Sequence, residues 1–412
     1  MKWRTRFRRL SASEKHEVID DIFGGETAYN KFYDAVAVFY RVSEFVFLAA
    51  ALLFGVIYIA SNADNIRYAQ IEYLVQNFSY ILEQNTEKRT YMTYERDGDI
   101  NTAVLHGGLA VYGDAGISVY SATGVKTAQF KHGMKAPVAV GSDRYLLVYG
   151  HGGEKYRLYS SFSQMHEGST EHAIYSACMS KNGAYALVTD SDDGSSQVLL
   201  FNNGFRLVNR FIKYVKVAAV ALNEEGDRIA IVTVEAGADG DFVSEVMFCA
   251  AGSETAEYTV NVSGMLPLDG VFNGNSFILL GDNGAVFFDE NGNVTAERRF
   301  SGGIDLAALS SECVLFVTDP GGGRSNYSAF MLDGSGNVVF DGELEGTPYA
   351  VSAASGSGFI LTGTAVVRIS PDGKTSAKEA SGVVFGDKLR AVSEREVWLC
   401  TLSHAVSLRF DG

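Results

Sequence analysis

The chain has 412 residues, 44 Gly against 5 Pro, 21 Tyr, 26 Phe and a formal net charge of −15. Such a length can bury a large core, and the Gly- and aromatic-rich balance suits many short strands joined by tight turns better than long helices or Pro-rich linkers. Residues 1–44 carry eight Lys/Arg against seven Asp/Glu, whereas residues 64–412 carry 26 against 42, so the large C-terminal part is acidic and opposes non-specific binding to nucleic acid.

Residues 1–42 read as a basic cytoplasmic tail. Five of its basic residues lie in residues 1–10. Ser11, Ala12, Ser13 and Glu14 form a capping box before a short amphipathic helix whose apolar face is Val18, Ile19, Ile22 and Phe23, stopped by Gly24 and Gly25. Arg8, Arg9, Leu10 and Ser11 also match a basophilic kinase site, but capping explains Ser11 more simply.

Residues 43–63 read as one transmembrane helix. Every position of FVFLAAALLFGVIYIA, residues 45–60, is apolar or Gly, and no charge follows until Asp64. At about 1.5 Å per residue this run approaches the ~30 Å hydrocarbon core. Tyr33, Phe39, Tyr40 and Arg41 flank it on one side, and Tyr58 and Tyr68 on the other. Basic residues before the span, and only Arg67 within twenty residues after it, put the N-terminus inside. A cleaved signal peptide is the competing reading, and an n-region of more than forty residues is too long for one. Residues 64–85 continue as a helical stalk; Ile71, Leu74, Phe78 and Ile81 form a stripe that would pair two stalks or pack on the following domain.

Residues 86–412 contain a repeat. A six-residue apolar strand begins at Leu109, Leu146, Tyr185, Ile229, Phe277, Val314, Phe359 and Val397, with spacings of 37, 39, 44, 48, 37, 45 and 38 residues. This period matches a four-stranded propeller blade. A second strand follows each first one, beginning for example at Ile117, Gln197, Ala285 and Val366, and most end in a Gly-bearing turn. A short apolar run with small residues also precedes each first strand, for example Pro137 to Val140, Val217 to Leu222 and Tyr349 to Ala353. The expected fold is therefore all-β, an eight-bladed propeller with seven blades as the alternative, behind a single transmembrane helix. The last unit runs out of chain before its outermost strand, so residues 89–95 (RTYMTYE) are expected to supply it and close the ring.

The repeat segments FFDENGNV and LDGSGNVV resemble propellers of the quinoprotein-like and YVTN types. With two Trp in the chain, neither the recurring Trp of quinone-binding repeats nor a WD dipeptide is present. The whole layout resembles a family of uncharacterised bacterial proteins with a short basic tail, one span and an extracytoplasmic propeller-like domain. That resemblance implies a location in the cell membrane, with the C-terminal domain outside the cytoplasm, and implies no activity.

No G-x-S-x-G elbow, S-x-x-K or H-E-x-x-H occurs, and no His has a partner at metal-ligand spacing. Cys178, Cys249, Cys313 and Cys400 each sit in an apolar run and read as buried free thiols. The turn at Asp190, Asp192 and Asp193 fails the calcium-loop pattern because Gly194 stands where an oxygen ligand belongs. No catalytic residue, cofactor or metal site is therefore expected. A ligand or partner site would lie at the channel mouth, near Lys135, His172, Lys213, Tyr214, Asp269, Asp305 and Tyr349, where the chain enters its inner strands. The functional expectation is a binding or scaffolding module of the envelope, contacting another envelope protein, with self-association through the stalk and no nucleic acid. A transmembrane sensor and an enzyme with an unrecognised site are the alternatives.

Overall fold

A computed structural model describes residues 26–61, 91–94, 100–237, 240–319, 327–380, 384 and 387–411. The capped helix expected in residues 11–25 and the stalk expected in residues 64–85 lie outside the described residues. The chain divides into two compact units, residues 1–66 and 67–412.

The described residues of the first unit form one helix, α1 (Glu26–Ser61), whose 36 residues make it about 54 Å long at 1.5 Å per residue. Within it Val36–Phe54 is long and apolar enough to cross a membrane, with a mean hydropathy of 1.9 and none of it buried by protein. Phe39, Phe45, Phe47, Leu52 and Phe54 are all exposed. The Ser43 hydroxyl donates to the Tyr40 carbonyl at 2.9 Å, so this polar side chain is satisfied inside its own helix.

In the second unit the described residues are all-β. Its described strands form six four-stranded antiparallel sheets and one seven-stranded sheet. In chain order the first four-stranded sheet is β2 (Ile100–Leu105), β3 (Gly108–Gly113), β4 (Gly116–Tyr120) and β5 (Lys126–Phe130). The seven-stranded sheet follows, from β6 (Pro137–Gly141), β7 (Leu146–Gly150) and β8 (Gly153–Tyr159) through β9 (Gln164–Met179) to β10 (Tyr185–Thr189), β11 (Ser196–Phe201) and β12 (Leu207–Lys213). The 16-residue β9 pairs with β8 mainly through its first half and with β10 through its second, so two four-stranded units share one strand.

Four further meanders follow. They comprise β13 (Lys216–Leu222) to β16 (Tyr258–Ser263), β17 (Pro267–Asn273) to β20 (Val294–Arg299), β21 (Leu306–Leu309) to β24 (Val338–Leu344), and β25 (Pro348–Ala354) to β28 (Thr375–Glu379). The last sheet joins β29 (Lys388–Ser393), β30 (Glu396–Cys400) and β31 (His404–Arg409) to β1 (Tyr91–Thr93), which comes from the start of the domain. Tyr91, Met92 and Thr93 pair antiparallel with Val406, Ala405 and His404, so the strand expected within residues 89–95 is present and closes the final sheet.

All eight repeated apolar segments are second strands of these units, from β3 to β30, and they are almost wholly buried. Their continuous apolar character follows from burial on both faces. In β22 (Cys313–Thr318), Val314 and Phe316 join one apolar cluster while Leu315 and Val317 join the next, as the two-residue period of a strand requires. The core of the domain is thus a series of eight clusters among the described residues, each between successive units, and one of them joins the last unit to the first. The first strands, β2, β6, the second half of β9, β13, β17, β21, β25 and β29, lie against one another in that order, and β29 lies against β2. This is the layout of a β-propeller.

The turns that carried the family likeness are built alike. Asp289 Oδ1 accepts the amides of Asn291 and Asn293 at 2.9 and 2.8 Å, and Asn293 Nδ2 donates to Asp289 Oδ2. Asp333 does the same with Ser335 and Asn337. Gly336 must be Gly: its φ is +88°, and a Cβ there would meet the Ala296 side chain of the preceding unit at 2.6 Å. These acidic turns are structural, because their carboxylates are engaged by their own backbone.

Candidate functional site

Small residues recur in the first strands, as in SACM of β9, KVAAVAL of β13 and LAAL of β21, because these strands crowd towards the axis. Four of them, β6, β9, β13 and β17, leave a cavity of about 270 Å³ bordered by Val140, Cys178, Ala219, Ala221, Leu268 and Asp269. Asp269 is the acidic residue of this wall. Its Oδ1 accepts the Gly270 amide at 2.8 Å. Water reaches the side chain, yet the strands surround it closely enough that desolvation pushes its carboxyl above the usual carboxylate range, against the opposing pull of that amide.

Asp269 follows a bulge in the β17 pairing between Pro267 and Asp269, which leaves Leu268 55% exposed at the lip. The bulge position recurs in β13 at Ala218 and in β25 at Tyr349. Cys178 lies near enough to feel the Asp269 charge, and burial first, then that charge, pushes its thiol up to about 12. Across the described residues no group of three or more His, Cys, Asp or Glu gathers as a metal ion would require.

A second, more exposed group surrounds the entry to β9 and β13. Asp190 accepts from Lys216 Nζ at 2.9 Å on one oxygen and from the Tyr175 hydroxyl at 2.7 Å on the other. Lys216 and then Tyr175 lower the Asp190 carboxyl pKa, while Asp190 raises that of Tyr175. His172 Nε2 is 3.6 Å from Asp192 Oδ2, and the His151 ring meets the Tyr175 ring edge-on at 6.0 Å.

The residues singled out from sequence therefore fall in different places. Asp269 lines the channel cavity, and His172 belongs to the exposed polar group. Tyr214 is 80% exposed and its carbonyl accepts from Ser195. Lys213 ends β12, an outer strand, where its Nζ lies 2.8 Å from Met247 Sδ. Lys135 borders a separate cavity of about 430 Å³ with Met134, His151 and Lys155. Asp305 is exposed just before β21, its amide donating to the Val317 carbonyl at 2.9 Å. Tyr349 is half-buried and packs on the cluster beneath β26 (Ser357–Thr362). Sequence reasoning missed Tyr175, Asp190 and Lys216 as a group; their spacing along the chain carries no signal because three different elements bring them together.

The class defined by this fold is a β-propeller with, among the described residues, one apolar helix before it. Within that class the chain belongs to the Family of unknown function (DUF5711), whose model matches residues 81–381. No curated protein matches the chain. Among solved structures it is similar to BamB from Moraxella catarrhalis, at 10% identity over 78% of this chain and 99% of that one, with a TM-score of 0.49. It is also similar to Kuenenia stuttgartiensis hydrazine synthase, at 10% identity over 70% of this chain and 97% of that one, TM-score 0.46. A third similarity is to the β-propeller domain of Myceliophteria thermophila Cps50 (Swd1), at 10% identity, 70% and 99% coverage and a TM-score of 0.45.

Proposed function

We propose that the protein is a single-pass membrane protein whose eight-bladed propeller, outside the cytoplasm, acts as a binding or scaffolding module for another envelope protein and has no catalysis of its own. The observation that carries this reading is α1: its Val36–Phe54 stretch, apolar on average despite Arg41, Ser43 and Glu44, is covered by no described protein group, and a bilayer is the solvent that would cover it. The basic residues 1–10 favour a cytoplasmic N-terminus. Eight apolar clusters between successive units, with the last joined to the first, support eight blades. A propeller of this kind offers surfaces at the ends of its first strands and not a preset chemistry.

Crosslinking of the full chain in native membranes, followed by identification of the crosslinked species, tests the reading. A reproducible envelope-protein partner is the expected result. Protease added outside intact, wall-stripped cells should cut the large domain and spare residues 1–42, and the opposite pattern would invert the orientation.

A further inference from the structure

The channel cavity has a polarity that its surroundings do not explain. Its walls, from four different units, are mostly Ala, Val and Gly with Ser176, Cys178, Met179 and two Leu, and Asp269 places a carboxylate among them. The only hydrogen bond to that carboxylate among the described residues is from the adjacent Gly270 amide, and no Lys, Arg or His pairs with it. This carboxylate, in reach of water but crowded by four strands and with no cation beside it, leaves its charge uncompensated, and an incoming cation would be attracted to it. Its thiol neighbour Cys178 supplies no counter-ion, since a thiol is neutral when protonated and anionic when not.

Size and shape narrow the ligand. A water occupies about 30 Å³ in the liquid, so a cavity of about 270 Å³ has room for roughly nine waters or for a slim aliphatic stem with one polar head. Leu268, exposed at the bulged entry of β17, supplies an apolar lip before the carboxylate, and Ala219 and Ala221 give the stem a smooth wall.

We propose that this cavity binds an ammonium or guanidinium group on an aliphatic stem, with Asp269 as its counter-ion. The inference rests on the propeller channel being the ligand-bearing part of the binding module proposed above. The stem can belong to a free amine or to a Lys or Arg side chain of the partner protein.

Full-length protein in detergent micelles would be titrated with agmatine, and with 1-butanol as the uncharged control, by calorimetry. Agmatine should bind, 1-butanol should not, and Asp269→Asn should weaken agmatine by tenfold or more. Equal binding to wild type and Asp269→Asn, or no binding to wild type, would overturn the proposal. A measurement that needs no variant is the rate at which methyl methanethiosulfonate modifies Cys178, read by mass spectrometry: saturating agmatine should slow it at least threefold, and an unchanged rate would count against the site. Crosslinking in native membranes separates the two sources: loss of the partner in Asp269→Asn assigns the cation to the partner's side chain, and its retention assigns it to a free amine. Because wild-type crosslinking uses no agmatine, a failed scaffold reading and a failed amine site give different results.

Discussion

The sheet of β29, β30, β31 and β1 takes its strands from opposite ends of the domain, residues 388–409 and 91–93, whereas the seven-stranded sheet is drawn from one continuous stretch, residues 137–213. In the second, β9 runs from the outer position of one unit into the inner position of the next with no break in the strand, so chain continuity sets the register. In the first, register depends on side chains. Tyr94 sends its hydroxyl to the carbonyls of Thr401 and His404, at 2.5 and 2.8 Å, and its own amide bonds to the Ser403 carbonyl at 3.0 Å. Tyr91 stacks on His404 at 5.1 Å, and Met92, Tyr94 and the fully buried Trp398 enter one cluster with Leu109 and Val111 of the first unit. Joining residues some three hundred positions apart costs roughly 5 kcal/mol of chain entropy. A three-residue strand needs this clasp to hold; a continuous strand does not.

Deleting residues 404–411 is the most severe way to break the contrast. It removes the partner of both β1 and β30, and thermal unfolding followed by circular dichroism should lose its cooperative transition. A short insertion between the exposed Asp192 and Asp193, in a loop of the continuous sheet, should leave that transition in place. Retention of a native melt by the deletion would show that the closing sheet is dispensable.

Next come buried aromatics matched across the two sheets. Trp398→Ala and Phe201→Ala, the latter removing a ring stacked on Tyr185 at 4.6 Å, should each cost about 3–5 kcal/mol in urea denaturation. Near-equal values would mean that the clusters support both sheets alike and that only strand register differs. Tyr94→Phe sharpens that point: it keeps the ring and loses the hydroxyl, with an expected loss of about 1–2 kcal/mol.

Two aspartates should give pH effects of opposite sign. Asp333 has a carboxyl pKa held below the ordinary value, despite some desolvation, by Asn337 and the turn amides. Its contribution is present above the unfolded value near 3.8 and is lost as pH falls through its lower folded value. Asp269 has a raised carboxyl pKa, so its contribution is present below the unfolded value and is lost as pH rises through the folded one. In melts between pH 2.5 and 7, Asp333→Ala should remove part of the acid destabilisation, while Asp269→Asn should stabilise selectively at neutral pH. The smallest effect concerns the thiols. Burial pushes Cys178 to about 12 and Cys313 and Cys400 to about 11, so native protein should take up little iodoacetamide at pH 8 and urea-unfolded protein should react at all four cysteines.

Much of the architecture was legible in the residues themselves. The eight segments beginning at Leu109 to Val397 could be read because a strand buried on both faces must be apolar at every position, and that requirement is local. The strand supplied by residues 91–93 could be read because propeller units have four strands and the alternating RTYMTYE segment precedes the first unit without a unit of its own. The shared β9 could not, since the loop-free passage from Gln164 to Met179 depends on two neighbouring units stacking closely enough to make a turn unnecessary. The site divides in the same way. Asp269 was named only by its position at the entry to an inner strand, whereas its cavity exists only where four separate strands converge. Lys213 and Tyr349 were selected by the same positional rule, yet bulges and strand ends direct one towards Met247 and the other into an apolar cluster. Sequence by itself determined the strands and their order, through burial and turn chemistry acting over a few residues. The tertiary structure alone decided which polar groups share a space, because those distances are set by the packing of units far apart in the chain.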